Sequence, residues 1–518
     1  MQKYPLLPVA VMLVTGIITG YTLGETVGVG AWMTAAAVAV IAVISLWRYY
    51  LPQSIMIYIA CFLTAGFLVA RERAKVDIPV PDVPCVYEAV VASVPVEHAR
   101  TYSCDIILTS EERPIKVRAY IYKDDRSARL NTGSGIKAVS LLKASAAYHD
   151  EPTYKGAGND GGHFDYEHYL ISHGISATTF IGSQWQRAQA DIMRLSVIER
   201  ARLNALRLRN RLLRQYAEQG LQGQTLALVS ALTLGDRSLL SSETREDYML
   251  SGASHILALS GLHLTIIFAI LTLLMGRYRR HVAAVLFTSV CVWLFVFIAG
   301  TSPSLTRAAL MVTIYNFCSL LNRDRLSFNT LAFAAIALLI ANPLSLYDVG
   351  FQLSFMSMLS IGLFYRPFLS VFPPALLRFR VSDYLISATL LSVSAQIGTM
   401  PLVAYYFGRT PVYSIVTNIV AVLGATVILF GAVVFFITSP LQTIRTYVAD
   451  ALSFVAETMN TAIGRIASWP AADILSFRPS LVQTILIYIA IAAAYMLGRL
   501  LHRVYGKKTR VRQTGLAE

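Results

Sequence analysis

Long apolar runs recur at about 6–23, 31–47, 55–70, 253–275, 282–299, 304–321, 327–341, 350–365, 384–402, 411–437 and 480–501. A helix needs roughly 20 mostly apolar residues to cross the hydrocarbon of a bilayer, so the runs predict a polytopic α-helical membrane protein whose shorter or more polar runs are tilted or re-entrant. Between 71 and 193 the pattern changes to alternation of apolar and polar residues. There 85–94, 103–109, 115–123, 135–148 and 175–181 read as five strands separated by Pro, Gly, Asn and Asp. Five short strands in about 100 residues suit a small closed barrel, the OB fold being one candidate. In the third strand Ile115, Val117, Ala119 and Ile121 are expected to face the core, leaving Lys116, Arg118, Tyr120 and Tyr122 as an outer basic-aromatic stripe, a candidate contact for single-stranded DNA through base stacking and phosphate pairing, with a solvated or lipid-headgroup-facing strand surface as the favoured alternative. The next segment places Leu195, Ile198, Ala201, Ala205, Leu208 and Leu212 at helical spacing among seven arginines, which predicts an amphipathic helix at the membrane surface.

The organisation expected is helices in 1–70, an extracytoplasmic all-β, OB-like domain in 71–193, an interfacial helix in 194–222, a second helical domain in 223–505 and a basic cytoplasmic tail in 506–518. The first run has no cleavage site after it and reads as a retained span. Composition agrees: hydrophobic residues make up 55% of the 518 and charged ones 14%, against about 25% charged in soluble domains.

Charge then orients the chain. The formal net charge is +14, and 71–193 holds 14 basic and 16 acidic residues, so the rest carries +16. Basic residues beside spans mark the cytoplasmic side. RYRRH (277–281) and the tail from 499 are expected inside, and 71–193 outside. Simple alternation does not bring the tail inside, so one element after 321 is re-entrant or interfacial, with 447–469 a suspect. Cys85 and Cys104, the two cysteines of the outer domain, are a candidate disulfide in an oxidising compartment, with two unpaired thiols as the alternative. His163, His168 and His173, spaced by five, do not stack on one helical face and do not suggest a metal site.

The chemistry concentrates in SGASHILALSGLHLTII (251–267). In one helix from about 250 to 275, His255 and His263 fall at i and i+8 and point to one side, an inward-facing polar stripe. Ser260 and Gly261 permit a break or a close helix contact. A charged segment, 227–250, precedes it with Asp236 and Arg237. Arg307, Gln352, Gln396 and Asn418 add polar groups to later spans, where each amide alone is most simply interhelical glue and Arg307, near the outer end of its span, is most simply a side chain reaching for the interface. The sequence has no G-x-x-x-x-G-K-[ST], H-E-x-x-H or G-x-S-x-G, so nothing points to nucleotide hydrolysis, an intramembrane protease or a lipase. Ser260 and His263 could form a nucleophile–base pair, a less favoured hydrolase reading.

On these residues the chain resembles the ComEC-type competence family, the inner-membrane channels for DNA uptake. The most specific stretch is ALTLGDRSLLSSETREDYMLSGASHILALSGLHLTII (231–267), joined by SPSLTRAALM (302–311), NPLSLYDVGFQLSF (342–355) and SAQIGTMPLVAYYFG (394–408). GHFDYEHYLISHGISA (162–177) resembles the end of the family's OB-like domain. The resemblance implies that a single DNA strand passes inward along Asp236, Arg237, His255, Ser260, His263, Arg307, Gln352, Gln396 and Asn418. It also implies a DNA receptor and a cytoplasmic ATPase as partners, with membrane lipids around the bundle. Many members continue into a metallo-β-lactamase-like domain with an H-x-H-x-D-H signature. Here the only histidine after His281 is His502, so no metal, cofactor or catalytic residue is expected, and degradation of the second strand falls to a separate nuclease. A small-solute or lipid transporter on the same scaffold is the alternative.

Overall fold

The described parts of the eleven apolar runs are mainly helical in the computed structural model, which describes residues 4–24, 26–76, 80–81, 83–110, 114–145, 166–320, 328–470, 473–475 and 477–514; 253–275 is split into two helices. The chain divides into two bodies. Met1–Tyr154, Asp165–Phe355 and Tyr413–Ala472 form the first; Met356–Val412 and the chain from Asp473 belong to the second.

The first body begins with α1 (Leu6–Thr22), α2 (Val29–Ser45) and α3 (Tyr50–Val76). A β-rich region follows: β1 (Cys85–Val91), β2 (Val96–Glu97), β3 (Thr101–Leu108), β4 (Ile115–Tyr122), β5 (Gly135–Ser140), β6 (Leu142–Ala144), α4 (Tyr166–Ser172), β7 (Ala177–Ile181) and β8 (Trp185–Ala188). β1, β3 and β4 form an antiparallel meander, with Ala89 opposite Leu108 and Cys104 opposite Ala119. β4 pairs in parallel with β7, and β7 antiparallel with β6. Since β5 runs into β6 and also pairs with β1, the pairings close a ring. Alternation fills it: Val91, Ile106, Val117, Ala119, Ile121 and Ile136 are all fully buried.

Two features depart from the expected five-stranded, all-β domain. The fourth strand breaks at Leu141, where the Ser140 hydroxyl pairs with the Tyr87 and Thr179 hydroxyls, each at 2.6 Å, and β2 and β8 are additional. The crossover to β7 carries a helix, as a parallel pair requires a crossover connection rather than a hairpin. Ile171 of α4 joins a core cluster with Leu13, Val69 and Leu344, and Asn342 Nδ2 donates to the Ser172 carbonyl at 3.1 Å. The ring is thereby fastened to the helices.

α5 (Val197–Glu218) opens with a capping box between Ser196 and Glu199. Its buried residues are Leu203, Leu206, Arg209 and Tyr216, while Ile198 and Leu208 of the predicted stripe are exposed. The inward face is thus rotated about a quarter turn from the expected one, because Leu203 packs on Val90 and Ile107 of the ring. α6 (Gly223–Leu234), within what reads as a polar segment, is a buried helix. With Tyr216 it forms the largest core, against α15 (Ser414–Ile437) and α16 (Gln442–Ala467). The suspect stretch 447–469 lies mostly in α16, whose Ala449, Leu452, Ala456, Met459 and Ile463 face that core.

Between them run α7 (Ser242–Leu250), α8 (Ser254–Leu257), α9 (Gly261–Met275), α10 (Val282–Ile298), α11 (Pro303–Leu320), α12 (Phe328–Ala341) and α13 (Val349–Leu369), the last continuing into the second body. There α13 meets α14 (Arg380–Phe407), where a Cβ on Gly398 would lie 2.6 Å from the Met356 carbonyl oxygen and from Ser360 Cβ. In α17 (Leu481–Thr514) the Tyr488 hydroxyl donates to the Gly398 carbonyl at 2.7 Å. A two-stranded pair, β9 (Arg409–Pro411) with β10 (Asp473–Leu475), completes this body. Among the described residues five helices are long and apolar enough to cross a membrane: Tyr50–Val76, Gly261–Tyr278, Arg380–Phe407, Ser414–Ile437 and Leu481–Leu500.

Candidate functional site

The stretch 250–275 is not one helix. Ala258 and Ser260 are extended, with ψ of 121° and 175°, so the i, i+8 relation expected of His255 and His263 does not exist. His255 is exposed, its Nδ1 3.1 Å from the Gly252 carbonyl. His263 is fully buried. Its Nδ1 accepts the Ser260 backbone N–H at 3.2 Å and lies 3.1 Å from the Ser260 hydroxyl, holding the break that starts α9. Accepting at Nδ1 places the ring proton on Nε2, and Nε2 has no partner among the described residues. The Ser260–His263 contact is therefore a helix cap; no carboxylate hydrogen-bonds the ring among the described residues, so the hydrolase reading gains no orienting acid.

Two further irregular segments meet this break. Gly235 is left-handed, φ 76°, and a Cβ there would lie 2.7 Å from both the Ala299 carbonyl oxygen and Leu259 Cδ1. Gly300 (φ 96°) and Thr301 (φ 53°) turn the chain from α10 into α11. A non-glycine in that region is strained by about 1–3 kcal/mol. Three interruptions of helix, 234–236, 258–260 and 299–302, therefore converge. Asp236 is buried, and its Oδ1 accepts the Ser238 N–H at 3.0 Å; Arg237 is exposed, and its carbonyl accepts from Arg245 Nη2 at 2.7 Å. Over the 299–302 turn lie two arginines of α5: Arg202 Nη2 reaches the Gly300 carbonyl at 3.5 Å, and Arg209 Nη1 lies 3.3 Å from where a Gly300 Cβ would be.

One turn into α11, Arg307 is 3% exposed. It donates to the Gly350 carbonyl at 2.7 Å and the Ser304 hydroxyl at 2.9 Å, and pairs with Asp348 at 3.4 Å. It is a buried ion pair, not a side chain reaching for the interface. Gln352 donates to the Leu346 carbonyl at 2.9 Å. Asn418, half-buried on α15, leaves Oδ1 without a hydrogen-bond partner among the described residues. Gln396 is half-buried on α14 and belongs to the second body, while the other eight residues of the expected path belong to the first.

The ring's outer stripe alternates as expected but is largely covered. Asp105 on β3 pairs with both Lys116 and Arg118, the Tyr120 ring stacks on Phe180 at 5.0 Å and its hydroxyl lies 2.7 Å from that of Tyr166, and Arg118 sits over the Tyr169 ring of α4. Only Tyr122, 52% exposed, is open. The candidate disulfide is absent, both thiols being free. Cys85 lies opposite Ser140, whereas extending the β1–β3 register sets Cys104 beside Ser93, about eight strand positions away, beyond the roughly 7 Å a bridge spans. Burial pushes the Cys104 thiol up to about 12. His168 packs at tilted angles against Tyr21 and Tyr347, which also contact each other, His173 Nδ1 donates to the Tyr169 carbonyl at 2.8 Å, and His163 lies outside the described residues.

Sequence reasoning passed over Asp105, Arg202, Arg209 and Asp348, and also Asn316, which donates to the Thr288 and Ser289 hydroxyls between α10 and α11. No signal in the sequence set Arg209 apart: it lies off the apolar stripe read for this helix and shares its segment with six other arginines.

These features define a helical membrane protein with an attached β-ring and a buried, charged junction of broken helices. Residues 232–500, just over half the chain, match the Competence protein family, and the chain belongs to it. It is 32% identical over 263 residues to ComE operon protein 3 of Bacillus subtilis (strain 168), covering 50% of this chain and 31% of that protein. An uncharacterized protein of Aquifex aeolicus (strain VF5) is 27% identical over 228 residues, 43% of this chain and 51% of that one. The matches thus span a third to a half of these relatives. No solved structure matches.

Proposed function

We propose that the protein is an inner-membrane channel passing single-stranded DNA into the cytosol during natural transformation, with 71–193 an OB-like domain on the outer face. The observation that carries this reading is the convergence of 234–236, 258–260 and 299–302 inside the family-matched helices. Irregular backbone at membrane depth is tolerated only inside protein or beside a water-filled cavity, and a polyanion requires such a polar route. The ring's pairing order, an antiparallel meander followed by a parallel pair and closure through β5–β6, supports the OB assignment. A DNA receptor outside, a cytoplasmic ATPase and a separate nuclease are the partners this reading calls for. Deleting the gene and supplying labelled duplex DNA tests it: label in a nuclease-protected cytosolic pool is expected to disappear. Uptake at the normal rate would end the channel reading in favour of a small-solute or lipid transporter.

A further inference from the structure

Arg209 is 4% exposed and makes no hydrogen bond or ion pair among the described residues. A guanidinium carries five donors in a planar fork, and burying it unpartnered is strongly unfavourable. Arg202, seven residues earlier on the same side of α5, also has a buried Nε without a partner. Asp236 acts on Arg209 only at a distance, with no ion pair between them among the described residues, and its Oδ1 accepts the Ser238 N–H. Two arginines against one aspartate leave one positive charge, which matches the single negative charge of a phosphodiester.

We propose that Arg209 and Arg202, over the Gly300 turn at the start of α11, form a phosphodiester site that holds one backbone phosphate of the passing DNA strand. The proposal rests on the channel reading and gives it a contact point. Three observations favour a nucleic acid strand over a lipid headgroup. The outward side of α5 carries Val197 and Leu208, 72% and 43% exposed, with Arg211 and Arg214 also exposed, so a lipid meets that side, whereas Arg209 turns inward. The site lies against the 299–302 turn that meets the other helix breaks. Arg202 is also close enough to Lys116 of the ring to act on its charge, so cationic groups continue from the ring onto the inner face of α5. Asp236 keeps the attraction moderate, as a conducting site must release what it binds.

The test uses the full chain in nanodiscs of neutral phosphatidylcholine, with a fluorescein-labelled oligothymidylate as probe. Arg209→Met is expected to weaken binding about tenfold, and Arg202→Gln to lower the salt dependence by about one phosphate contact, roughly 0.7 in slope for a single strand. Without probe, Arg209→Met is expected to melt higher than wild type, because it removes an unpaired buried charge. With probe, the order reverses. Arg209→Met melting lower with unchanged affinity would assign Arg209 a structural role and overturn the proposal. So would an Arg209-dependent rise in melting temperature from phosphatidylglycerol that the oligonucleotide cannot displace, which makes the occupant a lipid. Normal uptake by a deletion strain ends the channel reading separately, whatever Arg209 binds in the purified protein.

Discussion

Asp105 is held between two cations. Burial alone raises its carboxyl, but Lys116 and Arg118 beside it outweigh that and hold it below the usual carboxylate range. A depressed folded value means the stability Asp105 contributes is complete above the carboxylate range and is lost as pH falls through it. His173 acts in the same direction at higher pH: burial lowers its ring against the opposing pull of the Tyr169 carbonyl, Asp348 and Asp105, while Lys116 adds to the lowering. Its unfolded form takes a proton below about pH 6.5, and the folded form resists. The ring domain is therefore expected to lose stability in two steps on acidification, first below about 6.5 and again near 4. His173→Gln should remove the first step. Asp105→Asn should remove the second while costing about 2 kcal/mol at neutral pH, the scale of a hydrogen bond to a charged group. The measurement is the melting midpoint from pH 7.5 to 2, read from Trp185 with the other tryptophans replaced by Phe; a flat profile contradicts both assignments.

At the level of elements, periodicity predicted what local physics controls. The apolar runs became helices, and strict alternation in 115–122 placed Val117, Ala119 and Ile121 inside. The failures trace to contacts that a linear pattern does not carry. Nothing in 250–275 announces that the His263 ring takes the Ser260 amide and stops a helix that its apolar residues would continue. The inward face of α5 is set by the ring's Val90 and Ile107, and α6 is apolar on all sides because it is enclosed by α15 and α16. Of the candidate site, Asp236, Ser260 and His263 were legible as polar residues in an apolar context, whereas Arg209 was not, since only the turn at Gly300 singles it out from its neighbours. Helix contact in the second body is testable directly. At Gly398 a Cβ would press on the Met356 carbonyl and Ser360, so Gly398→Leu should force α13 and α14 apart and cost about 1–3 kcal/mol. Gly398→Ala should cost less, with part of the loss recovered by Ser360→Gly. Melting in detergent decides; a Gly398→Leu protein as stable as wild type would mean the helices do not approach here.

For the molecule as a whole, the division of charge, −2 in 71–193 and +16 elsewhere, sets a sidedness that fold alone does not. Positive charge is retained on the cytoplasmic side of spans, so the proposed topology sets Arg277 and its neighbours inside and the ring outside. The ring's one open stripe residue, Tyr122, and Tyr278 at the basic turn are each 52% exposed, so both are reachable by a reagent on their own side. With the five native cysteines replaced, Tyr122→Cys is expected to react with a membrane-impermeant maleimide on cells stripped of their outer envelope. Tyr278→Cys should react only after lysis. Labelling of both from one side would place ring and basic turn together and remove the inward direction of transport. Labelling of Tyr278→Cys alone would invert the protein, setting the ring in the cytosol, where it could not be the first surface an incoming strand meets.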